Sequence, residues 1–203
     1  MILLLSVLAG LVAGTLRARL RARTLTVLNL RYIWLVLLAF LPQWVAFQLP
    51  ATRQALPVYL VAAGLVSSQL LLFIFAWLNR RRPGVWLLGL GLVLNLAVIG
   101  LNGGLMPVSP ETVAHLVPNA PPGAWQVGER LGWTKDIVLP VVDTHLWWLS
   151  DRFTLPGWVP YKVAFSPGDV LISAGAFWLL WSIGGRSERV SSKQPCSQLG
   201  VSS

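Results

Sequence analysis

No charged residue interrupts the chain between Arg82 and Glu111, and the stretches from Tyr32 to Thr52 and from Gln54 to Asn79 are equally free of charge. A helix on the surface of a soluble domain needs a polar face as well as an apolar one, and runs like these supply none. Roughly 20 apolar residues cross about 30 Å of hydrocarbon as a helix. Five segments approach or exceed that length, at about residues 1 to 17, 32 to 50, 56 to 78, 84 to 101 and 167 to 184. Of 203 residues, 55% are hydrophobic and 11% charged, with a mean hydropathy of +0.67, which leaves no material for a second, soluble core. The expectation is an all-α, polytopic membrane protein with about five transmembrane helices. Residues 1–184 form its single membrane domain, and the polar, Ser-rich tail at 185–203 has the composition of a disordered segment.

The net charge of +9 arises from 16 basic and 7 acidic residues. The basic residues form short clusters at the ends of apolar runs and no continuous face interleaved with aromatics, so nucleic acid is not expected as a partner and the lipid bilayer is. Arg17, Arg19, Arg21, Arg23 and Arg31 fall on one side, joined by Arg80, Arg81 and Arg82 and, in the tail, by Arg186, Arg189 and Lys193. Arg53, Arg130, Lys135, Arg152 and Lys162 fall on the other. The larger group belongs in the cytoplasm, which predicts a plasma-membrane protein with its N-terminus outside and its C-terminus in the cytoplasm. Glu188 is then the one acidic residue inside. The first run carries its arginines after the apolar stretch, as an uncleaved anchor does and a secretory signal does not. The single Cys196 provides neither an internal disulfide nor a cysteine-based metal site. Gly10 with Gly14, and Gly84, Gly89 and Gly91, permit close helix contact, and Asn95 should face a neighbouring helix rather than lipid.

Residues 102–166 form the one long segment between spans, and they contain Trp125, Trp133, Trp147, Trp148 and Trp158. So many indoles predict a compact, aromatic-rich extracytoplasmic cap lying on the outer leaflet, acting either as an inert lid or as a site. Asn102-Gly103-Gly104 followed by Met106-Pro107 reads as a tight turn leaving the membrane. Ser109-Pro110-Glu111 reads as the start of a short helix ending near Leu116. Glu111, His115, Asp143 and His145 offer metal-ligand chemistry without a recognised ligand spacing, so no metal and no cofactor is expected.

Asp151 and Asp169 are the sharper candidates, both expected at the outer membrane surface. Ser166 and Asp169, flanking Pro167, also make a capping box, which gives Asp169 a purely structural alternative. As a catalytic pair, one carboxylate would activate water and the other donate a proton.

Asn102-Gly103-Gly104-Leu105-Met106-Pro107, Leu149-Ser150-Asp151 and Phe165-Ser166-Pro167-Gly168-Asp169 together resemble a bacterial family of multi-pass membrane proteins catalogued as a domain of unknown function. Ser150 and Pro167 depart from the Gly and Ile usual there. The resemblance covers nearly the whole chain except the tail, and it implies a bacterial plasma-membrane protein without supplying an activity. Phe165-Ser166-Pro167-Gly168-Asp169, with Asp151 upstream, is also similar over part of the chain to lipoprotein signal peptidase, although Arg152 stands where that family has Phe and Ser166 where it has Asn. That second likeness implies an extracytoplasmic aspartyl hydrolase as the alternative. The leading expectation is a structural, assembly or binding component of the membrane, with other membrane subunits as possible partners.

Overall fold

The computed structural model describes residues 2–21 and 29–184. Arg23, Cys196 and the rest of the polar tail, including Arg186, Glu188, Arg189 and Lys193, lie outside the described residues. The chain is mostly helical. Its helices are α1 (Ile2–Leu20), α2 (Trp34–Gln43), α3 (Pro50–Ala55), α4 (Val58–Leu78), α5 (Val85–Leu101), α6 (Pro110–Leu116) and α7 (Pro167–Trp181). By length and hydropathy, Leu3–Leu20 of α1 and the whole of α4 could cross a membrane, while α5 and the α2 segment are shorter apolar helices. Pro42 sits within α2, which widens into a π-helical turn over Trp44–Gln48. Proline cannot donate its backbone hydrogen bond, so the helix loosens just where Gln43 and Gln48 leave the apolar run.

Glycines set how closely the helices pack. A Cβ on Gly10 or Gly14 would meet the α7 backbone at Phe177 or Leu180, so α1 lies directly against α7, and residue numbers rise together along the contact. The opposite order holds for α5, where Gly84 meets Gly175 and Gly91 meets Gly168. Helix α1 is therefore parallel to α7, and α5 is antiparallel to it. Gly84 also takes φ 77 in the turn before α5, a conformation that favours glycine.

Two asparagines fasten the helix ends. Asn79, after α4, accepts from the Arg31 N–H at 2.8 Å and donates to the Arg31 carbonyl at 2.9 Å. Asn102, after α5, does the same with His145, accepting at 2.9 Å and donating at 2.9 Å. The expected turn follows, with φ 80 at Gly103 and 86 at Gly104. A Cβ on Gly104 would press into Ala62 of α4, which explains the second glycine.

The segment after this turn has a small framework of its own. Strand β1 (Met106–Val108) pairs in parallel with β2 (Asp136–Val138), and β3 (Phe153–Thr154) pairs antiparallel with β4 (Ala164–Phe165). Helix α6 begins as its sequence predicts, with Ser109 accepting from the Thr112 N–H. Val108, Val113 and Val138 pack with Trp125 and Leu131 into one cluster, while Leu105, Met106 and Leu149 bury against Val61, Leu65 and Ile99 at the helix ends. Trp133, Trp147, Trp148 and Trp158 remain exposed. Four of the five tryptophans thus coat the outside of the segment, and its interior is built mainly from valines and leucines, with Met106 and Trp125 among them.

Candidate functional site

Strand β1 places a charged pair. The Met106 N–H donates to the Lys135 carbonyl at 3.0 Å, and the Pro107 carbonyl accepts from the Asp151 N–H at 3.2 Å. Successive residues of a strand use opposite edges, so Lys135 and Asp151 are tethered on either side of the same short strand. Proline is tolerated at position 107 because no ladder donor is required of it there. The Lys135 ammonium donates to Asp151 Oδ2 as a close ion pair and also reaches Asp136 Oδ1 at 3.1 Å. The Asp151 side chain is 1% exposed, whereas 38% of the Lys135 side chain stays accessible and opens into the cavity described below.

This burial has an electrostatic consequence. Removal from water pushes the Asp151 carboxyl up to about 7, with Asp136 and Asp169 adding to the rise and Lys135 opposing it. Burial lowers the Lys135 pKa, but the negative charge of Asp151, Asp136 and Asp169 outweighs it and holds the ammonium above its ordinary range.

Asp169 is held by different partners. Ser166 accepts from the Asp169 N–H at 3.0 Å, and Asp169 Oδ2 accepts from the Ser166 N–H at 3.2 Å, which completes the capping box. Asn95 of α5 donates to Asp169 Oδ1 at 2.8 Å and accepts from the Ser166 hydroxyl at 2.9 Å. A Cβ on Gly168 would overlap the Asn95 amide. Glycine there is what lets the amide enter the first turn of α7, so Asn95 does face a neighbouring helix.

Both carboxylates line one cavity of about 1010 Å³ between the helices and the connecting segment. Gln69 of α4, Asn95 of α5 and Ser173 of α7 bring polar groups to it from the helices; Lys135, Asp136 and Asp151 bring charge from the connecting segment. Leu65, Leu72, Leu92 and Ile172 form an apolar wall, and Lys162 stands exposed at the rim. Three oxygens of this lining, Gln69 Oε1, Asp151 Oδ1 and Ser173 Oγ, are buried without a hydrogen-bond partner among the described residues. Buried polar groups are ordinarily paired, so three orphans around one cavity mark it as a place where something else supplies donors.

The cavity gathers Asp151 and Asp169 but leaves out the four metal-ligand candidates. Glu111, His115, Asp143 and His145 are exposed, and among the described residues no three His, Cys, Asp or Glu side chains group to hold a metal ion. Asp151 is buried within the protein, drawn inward by its tether to β1 and its ion pair. No hydrogen bond joins Asp151 to Asp169 among the described residues; each has its own partners. Lys135, Asp136, Gln69 and Ser173 are the site residues that sequence reasoning missed. The available signal was Gln69, an amide inside an apolar run.

A family model described as a family of unknown function (DUF5317) matches residues 27–181. The chain belongs to the DUF5317 family. That match contains every residue of the cavity named above. An uncharacterized protein of Thermotoga maritima is 29% identical over 133 residues to this DUF5317 chain, which covers 64% of the chain and 69% of that protein. No solved structure matches it.

Proposed function

We propose that the chain is a five-span protein of a bacterial plasma membrane, N-terminus outside and C-terminus in the cytoplasm, whose outer cavity is a ligand-binding site. It acts as a binding component, with the bilayer and other membrane subunits as its surroundings. The observation that carries this reading is the cavity, with its unpaired oxygens, at the end of the bundle opposite the arginine clusters. Helices α1, the α2 segment, α4, α5 and α7 are the spans, and the parallel run of α1 with α7 fits an odd number of crossings. Leu37, Phe40, Leu60, Ile74, Leu90 and Val170 lie exposed along them, as lipid-facing side chains would. At one end Arg17 stacks on Trp181 at 4.5 Å and Arg80 on Trp77 at 4.6 Å, in keeping with a cytoplasmic headgroup layer. Residues 102–166 are the outer cap, whose exposed tryptophans meet the opposite headgroups.

Binding is preferred to hydrolysis on the partners of the two aspartates. A catalytic pair would share a proton between its carboxylates. Here Asp151 is held by Lys135, and Asp169 uses one oxygen for Ser166 and the other for Asn95.

Cysteine accessibility tests the reading. With Cys196→Ser as background, Ser109→Cys and Gly157→Cys should react with an impermeant thiosulfonate in intact cells, and Ile172→Cys, on the part-exposed wall of the cavity, should react through it. Native Cys196 should stay unlabelled until the cells are opened. Labelling of Cys196 from outside, with Ser109→Cys and Gly157→Cys protected, would invert the topology. A protected Ile172→Cys would remove the outward-facing cavity.

A further inference from the structure

We propose that the cavity takes an organic cation, an ammonium head carried on an apolar body. The inference rests on the reading of the cavity as an outward-facing binding site and adds the chemistry of what enters. Its charged lining holds more acids than bases. Asp136, Asp151 and Asp169 bring three carboxylates to the lining, against two lysines among the described residues: Lys135, already shared between Asp136 and Asp151, and Lys162, which is exposed to solvent. Among the described residues Asp169 hydrogen-bonds to neutral partners, the Ser166 N–H and the Asn95 amide, and makes no direct ion pair.

The orphaned atoms make the same demand. Gln69 Oε1 can only accept, Asp151 Oδ1 only accepts once its carboxyl is ionised, and Ser173 Oγ can accept as well as donate. An ammonium group offers three N–H donors and a positive charge, and so meets both needs at once. An anionic ligand would face three carboxylates, and a neutral alcohol would bring one donor to three vacant acceptors. Opposite the charges, Leu65, Leu72, Leu92 and Ile172 give an apolar body a surface to cover.

Equilibrium dialysis against the intact protein in phosphatidylcholine nanodiscs tests this, with empty nanodiscs subtracting partition into lipid. The probes are phenethylammonium, 2-phenylethanol and phenylacetate, which share a ring and differ in charge. Phenethylammonium should bind saturably and about tenfold more tightly than either of the others. Gln69→Leu removes an acceptor that holds nothing in the protein, so it should keep the fold and weaken the cation by about tenfold. Asp169→Asn, which keeps an oxygen for the helix start, should weaken the cation and leave 2-phenylethanol unchanged. Equal binding of the cation and the alcohol, a preference for phenylacetate, or an unchanged affinity in Gln69→Leu would each overturn the proposal. If no probe binds while Ile172→Cys remains accessible, the ligand class is wrong and the outward cavity stands. If Ile172→Cys is inaccessible, the underlying reading fails first.

Discussion

Asp169 is held mainly by residues three positions away, whereas Asp151 is held by three separate stretches of chain. Ser166, Pro167 and Asp169 organise a helix start among themselves, and Asn95 adds a brace from α5. Asp151 needs β1 to tether its backbone, β2 to bring up Lys135 and Asp136, and the Asn102 clamp on His145 to hold the returning chain. The first arrangement survives the loss of any one partner, because the remaining bonds still define a helix terminus. In the second, removing one charge leaves another buried beside it. The two carboxylates therefore share a cavity and differ in how steeply the fold depends on them.

The largest expected effect belongs to Asp151→Ala. It leaves the Lys135 ammonium with Asp136 alone, and unfolding in micelles should become easier by roughly 2 to 4 kcal/mol. That is below the about 3 to 5 kcal/mol of a fully buried pair, because Lys135 keeps one partner and part of its surface. A silent Asp151→Ala would erase the contrast with Asp169.

Titration sharpens the same contrast. The folded protein holds a proton on Asp151 up to about 7, while the unfolded chain releases it near the ordinary aspartate value of about 4. Between those pH values the folded state binds more protons, so this contribution to stability is complete below about 4 and is lost as pH rises through about 7. The melting midpoint of the wild type, followed by tryptophan fluorescence, should carry this downward component over that window, and Asp151→Asn should remove it. The same component persisting in Asp151→Asn would assign it elsewhere.

Smaller effects are expected on the other side. Asn95→Leu cuts the bonds to Asp169 and Ser166 and should cost about 1 kcal/mol, the scale of interhelical hydrogen bonds within membranes. Asp169→Ala should lower stability by about 1 kcal/mol and Asp169→Asn by roughly half that, since asparagine retains one acceptor for two donors. A loss from Asp169→Asn as large as that from Asp151→Ala would break the distinction.

The difference between the two regions also explains which parts of the site were legible in the sequence. Ser166 to Asp169, Ser109 to Glu111 and Asn102 to Gly104 are local devices, where spacing of a few residues fixes backbone geometry, and each forms as its residues dictate. The apolar runs at 56 to 78 and 84 to 101 match α4 and α5 within two residues, since their length and lack of charge leave one way to satisfy the backbone, whereas α1 continues three residues past its run and the run at 32 to 50 is interrupted by the π-helical turn. Lys135 was hidden because nothing near Trp133-Thr134-Lys135 signals a partner at Asp151. The link is a three-residue parallel pairing between segments far apart in the chain, and Met106-Pro107 does not read as a strand. Gln43 and Gln69 were passed over beside Asn95 as polar points in apolar helices, although both line the cavity.

A double-mutant cycle on Lys135 and Asp151 addresses the arrangement most directly. Lys135→Met and Asp151→Leu, alone and combined, should be strongly non-additive, with the double variant more stable than the sum of its parts by about 1 to 3 kcal/mol. The parallel cycle of Asp151→Leu with Asp169→Ala should show a smaller coupling, as expected of carboxylates that share a cavity and no hydrogen bond. Additive losses at Lys135 and Asp151, together with strong coupling between Asp151 and Asp169, would contradict the account and make the two aspartates a working pair.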